Sequence, residues 1–311
     1  MTTAKIAAQH SAFSTRAALA SVALALILLV AKAWAAYATD STAMLGSLAD
    51  TALDVIASIT TLVGVRIAAV PADHDHRFGH GKAEALVALA QVVLITVSAI
   101  GIAWRAIDRL INGAQTEAMG VGIIVSLFAI AATFLLLWYQ RRVIERTGSV
   151  AIKTDNVHYK SDLMLNSAVI LALVLDQALH IAGADALFGI AIALWLAWGA
   201  FRASSEAVNQ LMDREWPEEE RHQFLAACGQ YAELEGLHDL RTRTSGNVRF
   251  AQFHVWVPAD WTVQEAHDRL DRVEEQLQER FPGIEILIHV DPQGQIDRET
   301  FLASEITERA Q

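Results

Sequence analysis

Two stretches of the chain place ionisable side chains four residues apart inside otherwise apolar sequence. The first contains Asp50 and Asp54, and the second contains His158 and Asp162. Residues four apart share a face of a helix, so each pair would present two potential ligands in one direction. Carboxylates inside a membrane are energetically costly, and two on one face require a compensating cation.

We interpret the two pairs together as a four-ligand site for a divalent cation between two helices. Three carboxylates and one imidazole suit a cation that accepts mixed oxygen and nitrogen ligands in tetrahedral geometry, zinc above all. Each pair alone is also consistent with a buried hydrogen-bonded or salt-bridged pair, or with part of a proton relay. Two pairs of matching geometry favour an ion or proton path.

The composition places both pairs in a membrane domain. The chain has 311 residues, of which 53% are hydrophobic and 19% charged, and its mean hydropathy is +0.31. Apolar residues concentrate before Met212 and charged residues after it, which predicts a transmembrane domain over residues 1–212 and a soluble domain over residues 213–311. The net charge of −11 argues against a nucleic-acid partner. A single cysteine, Cys228, excludes an intrachain disulfide and fits a buried small residue.

Six apolar segments are long enough to be membrane-spanning helices, which need about 20 residues. They lie at about residues 17–36, 42–70, 83–111, 119–139, 151–179 and 186–201. The first also resembles a signal peptide, with Ala33-Trp34-Ala35 as a cleavage signal. Lysine and arginine concentrate in the loops after the second and fourth segments, which predicts that both termini are cytoplasmic. The loop after the third segment, near Arg105 and Arg109, is an exception to this pattern.

The soluble part predicts the order α-β-β-α-β, a small α+β sandwich with both helices on one face of the sheet. Helices are expected from about residue 216 and over residues 262–280, where Thr262 and Glu265 match a capping box. Strands are expected over residues 237–243, 248–257 and 284–290, and the end of the chain is expected to be disordered.

The polar loop between the second and third segments is dense in side chains that bind metals. These side chains are Asp73, His74, Asp75, His76 and His80. Gly79 and Gly81 would allow the backbone to turn tightly around His80. We expect a second metal site on the cytoplasmic side, although a solvated polar turn would have a similar composition.

Histidines also recur in the soluble domain, at strand ends, in the second strand and on the second helix. They are His238, His254, His267 and His289, and Asp291 follows the last of them closely. One histidine on a strand is usually structural, but several in one small domain exceed that expectation. Whether they converge depends on the fold.

The whole pattern resembles the cation diffusion facilitator family, and most closely its bacterial zinc/iron/cadmium–proton antiporters. The resemblance covers nearly the whole chain. It rests on Asp50-x3-Asp54, Asp73-x2-His76-x3-His80 and His158-x3-Asp162, within six spans followed by a cytoplasmic α+β tail.

The resemblance implies a metallochaperone-like fold for the tail and a role for each group of residues. The transport site would comprise Asp50, Asp54, His158 and Asp162, and the loop site Asp73, His76 and His80. The cytoplasmic-domain site, where a structural Zn2+ stabilises a homodimer in the family, would comprise His238, His254, His267, His289 and Asp291. Lys82 and Asp213 match a charge interlock near the membrane surface.

We therefore expect a secondary-active transporter in a bacterial inner membrane that exports a divalent cation by proton antiport and alternating access. Its expected partners are the lipid bilayer, divalent metal ions, protons and a second copy of the chain. Zinc is the expected substrate, and cadmium and ferrous iron are compatible with the ligand set. We expect His158 and Asp50 to couple protons to metal, because ligands must lose protons to bind it.

Two other classes of function fit part of the pattern. A membrane-anchored metal sensor or store would use the soluble domain, but it leaves the residues inside the spans unexplained. An intramembrane metalloprotease would need a motif such as H-E-x-x-H, and the stretch from His158 to Asp162 lacks the glutamate base. The sequence also contains no G-x-x-x-x-G-K-[ST] stretch that would indicate ATP use.

Overall fold

The chain folds into two compact units, one formed by Ser11–Val208 and the other by Met1–His10 together with Asn209–Gln311. The computed structural model describes residues 3–39, 42–112, 120–179, 184–246 and 248–294. The disordered end predicted from the sequence falls outside the described residues.

Six long helices precede the soluble domain, as the apolar segments predict. They are α1 (Thr3–Thr39), α2 (Thr42–Ala68), α3 (Ala83–Asn112), α4 (Gly120–Thr147), α5 (Val150–Leu179) and α6 (Ala184–Leu211). Five of them contain a stretch long and apolar enough to cross a membrane. The other, α5, has 30 residues, which also suffices at 1.5 Å per residue, but it carries more polar side chains. The predicted multi-pass helical fold is confirmed.

Helix α5 lies among the other helices and packs against α2, α3 and α4. Its Tyr159 joins a buried cluster with Leu24 of α1 and Leu136 of α4. This packing makes α1 a helix of the bundle, as expected for a first membrane span. Bulky residues such as Trp104 and Phe201 face outward, where lipid tails would cover them.

The second unit is the predicted α+β domain. Its elements are α7 (Glu218–Cys228), a 3-10 turn (Ala232–Leu234), β1 (His238–Ser245), β2 (Val248–Val257), α8 (Val263–Arg280) and β3 (Ile284–Pro292). The strands follow the order β1-β2-β3, with β1 antiparallel and β3 parallel to β2. Phe253 and Val255 of β2 pack with Phe224 of α7 and Leu270 of α8, so both helices cover one face of the sheet.

The predicted capping box starts α8. Thr262 Oγ1 accepts the backbone N–H of Glu265 at 3.2 Å, and the Glu265 carboxylate accepts the backbone N–H of Thr262 at 2.9 Å. The second of these bonds lowers the pKa of the Glu265 carboxyl below its usual value. The sequence signal for this helix start is confirmed.

A glycine shapes the entry to β1. Gly236 has a φ of +74°, and a Cβ at this position would lie 2.5 Å from Cε3 of Trp256. The Gly236 carbonyl oxygen also lies 2.8 Å from Nδ1 of His238 and can accept a hydrogen bond from it. The backbone conformation that places His238 at the start of β1 therefore favours glycine at position 236 for two reasons, the positive φ and the lack of room for a Cβ beside Trp256.

We predict that Gly236→Ala destabilises the protein by more than the roughly 1–2 kcal/mol expected for a left-handed alanine alone, because the added methyl group also clashes with Trp256. Gly294→Ala is the matched control. Gly294 has a φ of +84°, but no described atom lies within 4 Å of its Cβ position. Thermal unfolding of the full-length protein in detergent measures both variants, and equal shifts in Tm would contradict the steric argument.

Candidate metal centres

Helices α2 and α5 bring three of the four predicted transport residues together. Asp54 of α2 and His158 and Asp162 of α5 each offer one ligand atom, and these atoms lie within 4.8 Å of one another. His158 Nε2 is 3.0 Å from Asp54 Oδ1 and 3.9 Å from Asp162 Oδ2. We call these three residues the helical group.

The helical group has the chemistry to hold either a metal ion or a proton. His158 is buried, and both carboxylates are partly buried. A proton on His158 Nε2 would be donated to Asp54, whereas a metal ion would require the lone pair of the same nitrogen. Proton and metal would therefore compete for one atom.

Asp50 lies outside the helical group in this structure. Its side chain is exposed, and its Oδ2 is 3.6 Å from Nη1 of Arg105 on α3. The sequence places Arg105 near the end of the third segment but gives no indication of this ion pair. The role of Asp50 as a fourth ligand stays a prediction. Thr51, the next residue in the chain, accepts a hydrogen bond from Lys32 of α1 at 2.7 Å.

The loop between α2 and α3 gathers Asp73, His76 and His80, which we call the loop group. The Asp73 carboxylate lies 3.5 Å from Nδ1 of His76 and 3.4 Å from Nε2 of His80. The two imidazole rings are 4.4 Å apart. His74 and Asp75 are exposed, contact each other and lie outside the group.

Backbone contacts hold the loop group in place. Oδ1 of Asp73 accepts two backbone N–H groups, including that of His76 at 2.7 Å. The latter bond lowers the pKa of the Asp73 carboxyl, so the ligand stays ionised in mildly acidic solution. Gly79 supplies a φ of +76°, as the tight turn requires. His80 Nδ1 lies 3.3 Å from the Val70 carbonyl oxygen, and donation there leaves Nε2 available to a metal.

Three histidines form a row across the sheet of the second unit. His238 of β1 pairs with His254 of β2, which in turn pairs with His289 of β3. The ring centroids are 5.4 Å and 4.6 Å apart along this row. Paired residues of adjacent strands face the same side of a sheet, so the strand register brings the imidazoles together.

Asp291 supplies a carboxylate to this row. Its Oδ2 is 2.9 Å from Nδ1 of His254 and 3.4 Å from Nε2 of His238, and its Oδ1 is 3.5 Å from Nε2 of His289. His238 Nε2 is buried without a hydrogen-bond partner among the described residues. A buried ring nitrogen with a free lone pair beside a carboxylate fits a metal ligand, so His238, His254 and Asp291 could hold a metal ion. We call these three residues the sheet group.

Two residues of the second unit differ from the sequence-based expectation. His267 is exposed on α8 and lies outside the group within one chain, so its ligand role stays a prediction. Asp239, which was missed, has its Oδ2 3.9 Å from Nε2 of His254. Neighbours on a regular strand face opposite sides, so its position next to His238 gave no signal. An irregular register after His238 and a φ of +51° at Asp239 bring its carboxylate near the group.

The other predicted residues are not members of these groups. Lys82 and Asp213 belong to different units, and their interlock stays a prediction. Within its own unit, Asp213 Oδ1 is 3.6 Å from Nη1 of Arg243. Cys228 is buried as predicted, and burial raises the pKa of its thiol to about 12.

Comparison with known sequences decides the family. Residues 18–212 match the cation efflux transmembrane domain, and residues 216–293 match the cytoplasmic domain of cation efflux proteins. The chain belongs to the cation efflux family. This confirms the predicted membership of the cation diffusion facilitators, and it makes the protein a transporter that moves divalent metal cations out across a membrane, not an enzyme.

Relatives of this cation efflux protein include the cation-efflux pump FieF of Escherichia fergusonii, which is 42% identical over 286 residues, 92% of this chain and 95% of the relative. FieF of Klebsiella pneumoniae is 41% identical over 279 residues, 89% of this chain and 92% of the relative. A solved structure of the zinc form of CzrB, a candidate zinc transporter, covers 28% of this chain and 99% of its own, with 36% identity and a TM-score of 0.26.

We predict that Asp73→Asn weakens zinc binding by the loop group at least about 10-fold while keeping the turn. The asparagine oxygen can still accept the backbone N–H groups, but the negative charge between the two imidazoles is lost. Calorimetric titration of the full-length protein with zinc measures the change. His74→Ala is the control, because His74 is exposed and outside the group. An equal loss in both variants would argue against the loop group as a binding site.

Proposed function

We propose that this protein exports zinc in exchange for protons by alternating access, with cadmium and ferrous iron as further substrates. The contact between His158 and Asp54 carries the proposal. One ring nitrogen faces two carboxylates, and it can hold a proton or coordinate a metal ion but not both. Protonation from one side of the membrane would thus release metal taken up from the other.

The charges around the helical group support a reversible exchange. In the metal-free protein, a proton on His158 would offset Asp54 and Asp162, and the guanidinium of Arg105 lies 3.6 Å from Asp50. A divalent ion would replace these cations if Asp50 turned from Arg105 towards the group and completed the four-ligand set. In this mechanism Asp50 exchanges Arg105 for the metal ion at the same time as His158 exchanges its proton for the metal ion. The two exchanges together couple proton movement to metal movement.

The ligand chemistry favours zinc among the divalent cations. One imidazole and carboxylate oxygens in a compact group suit its tetrahedral coordination, and the Irving–Williams order places zinc above ferrous iron at equal geometry. Relatives of similar length that are named cation-efflux pumps support export as the direction of transport.

The loop and sheet groups would handle metal on the cytoplasmic side. The loop group would bind ions near the membrane surface. The sheet group, together with His289 and His267, would hold a structural Zn2+ that stabilises a homodimer. Lys82 and Asp213 would form a charge interlock between helices near the membrane surface. Residues 216–293 match a family of cytoplasmic domains whose name refers to a dimer, and this match supports the proposed homodimer.

The distribution of positive charge supports an orientation in a bacterial inner membrane. Arg77 and Lys82 follow α2, and Arg141, Arg142 and Arg146 lie at the end of α4. By the positive-inside rule these ends face the cytoplasm, together with both termini. Residues 1–212 would then form the transmembrane domain and residues 213–311 the cytoplasmic domain.

We predict that Asp54→Asn reduces zinc-driven proton flux to the level of protein-free liposomes. The full-length protein would be reconstituted with a trapped pH dye and exposed to a zinc gradient. Asp271→Asn is the matched control, since it removes an exposed carboxylate of α8. Zinc binding by the sheet group should persist in both variants. Proton flux at the wild-type rate in Asp54→Asn would overturn the proposal and would leave a membrane-anchored sensor or store as the alternative.

A further inference from the structure

One buried carboxylate of the bundle, Asp155 of α5, takes no part in the three metal groups. It accepts hydrogen bonds from four other helices. Ser21 of α1 and Gln140 of α4 each donate to Oδ2 at 2.7 Å. Gln91 of α3 and Thr61 of α2 donate to Oδ1 at 3.2 Å and 3.4 Å. All four donors are neutral, so hydrogen bonds from these helices hold the carboxylate within the membrane unit.

These contacts continue as a ladder between α2 and α5. Its rungs are Thr61–Asp155, Ser58–Tyr159 at 2.8 Å and Asp54–His158 at 3.0 Å. On α2 the three residues are spaced by three or four positions, so they share one face, and on α5 His158 and Tyr159 lie three and four positions after Asp155, so both lie on the same side of the helix as Asp155. The ladder thus leads from the buried carboxylate directly to two residues of the helical group. The Tyr159 hydroxyl also donates to the Ser21 carbonyl oxygen at 3.0 Å, which ties the middle rung to α1.

Register between these two helices determines whether the helical group can form. Each residue along a helix turns the side-chain direction by about 100°. A slip of one residue in α5 would therefore carry His158 and Asp162 away from Asp54. Metal ligands must also be placed to within about 0.2 Å, so even a small rotation of α5 would alter the group.

We propose that Asp155 is a positioning residue, which anchors α5 to its four neighbours and thereby sets His158 and Asp162 against Asp54. The inference rests on the proposed role of the helical group in binding metal. A carboxylate can accept all four bonds, whereas the amide of an asparagine would point an N–H donor at donors that already converge there. Asp155 acts on metal through the ligands it places.

Exchanging the two partners of one bond tests this role. Asp155→Asn replaces one of the two acceptor oxygens with an N–H donor. Combining it with Gln140→Glu restores a carboxylate and an amide at the same contact with their roles exchanged. Asn156, which donates to Gln140 Oε1 at 2.9 Å, can donate to a glutamate equally well. Two properties of the full-length protein would be measured. The first is the zinc binding that depends on Asp54, defined as the part that disappears when Asp54→Ala is added. The second is the KM and kcat for zinc transport in liposomes.

We expect Asp155→Asn to raise the Kd and KM for zinc about 10- to 100-fold, and the double variant to recover most of this loss. Glu206→Gln is the control, because it removes a carboxylate of α6 that binds Lys153 at 2.6 Å, and it should change neither value. An unchanged zinc affinity in Asp155→Asn, a fall in kcat alone, or a double variant no better than the single one would overturn the proposal.

A milder variant covers the case in which Asp155→Asn does not fold. Ser21→Ala removes one of the two shortest hydrogen bonds to Asp155 and should raise the zinc Kd several-fold, whereas an unchanged Kd would overturn the proposal. Failure of the wild-type protein to move protons with zinc would count against the proposed function instead. Zinc binding that depends on Asp54 would still report on positioning by Asp155.

Discussion

The clustered carboxylates of the helical group, Asp54 and Asp162, must be accompanied by a cation, because they lie close together where lipid offers no solvation. The contact of 3.0 Å between His158 and Asp54 meets this requirement with a group that can also lose its proton. A permanent cation such as lysine would stabilise the carboxylates equally well but could not become a ligand. The imidazole therefore allows the pair of His158 and Asp54 to bind a proton and a metal ion in turn. The other helices of the bundle must hold the imidazole in position for this exchange.

The three candidate metal groups use similar side chains but position them by different means. Helix periodicity places His158 and Asp162, an Asx-type turn places Asp73 against His76, and strand register aligns His238 with His254. The helical group alone lies inside the bundle and depends on contacts between separate helices. Its geometry is consequently the most sensitive to how the helices move, as a site of alternating access requires.

The sequence predicted the features that depend on local periodicity. Residues four apart on α5, the capping box at Thr262 and the alternation along β2 are properties of one element, so their geometry follows from the chain itself. The sequence could match Asp54 to His158 and Asp162 because both helices carry ligand types four residues apart, but contacts without such a repeated pattern were not predictable. Arg105 meets Asp50 from another helix, and nothing in the spacing along either helix encodes that contact. Asp155 was overlooked for the same reason, because its four donors come from four helices. Asp239 was missed because an irregularity in β1 reverses the rule that strand neighbours face opposite sides.

The number of protons released when zinc binds the helical group tests the central claim most directly. The full-length protein with His76→Ala and His238→Ala, which disable the loop and sheet groups, would be titrated with zinc by calorimetry in mildly acidic buffers of different ionisation enthalpy. Competition for Nε2 of His158 predicts the release of at least one proton per bound ion. Zinc binding at this group without proton release would contradict the account.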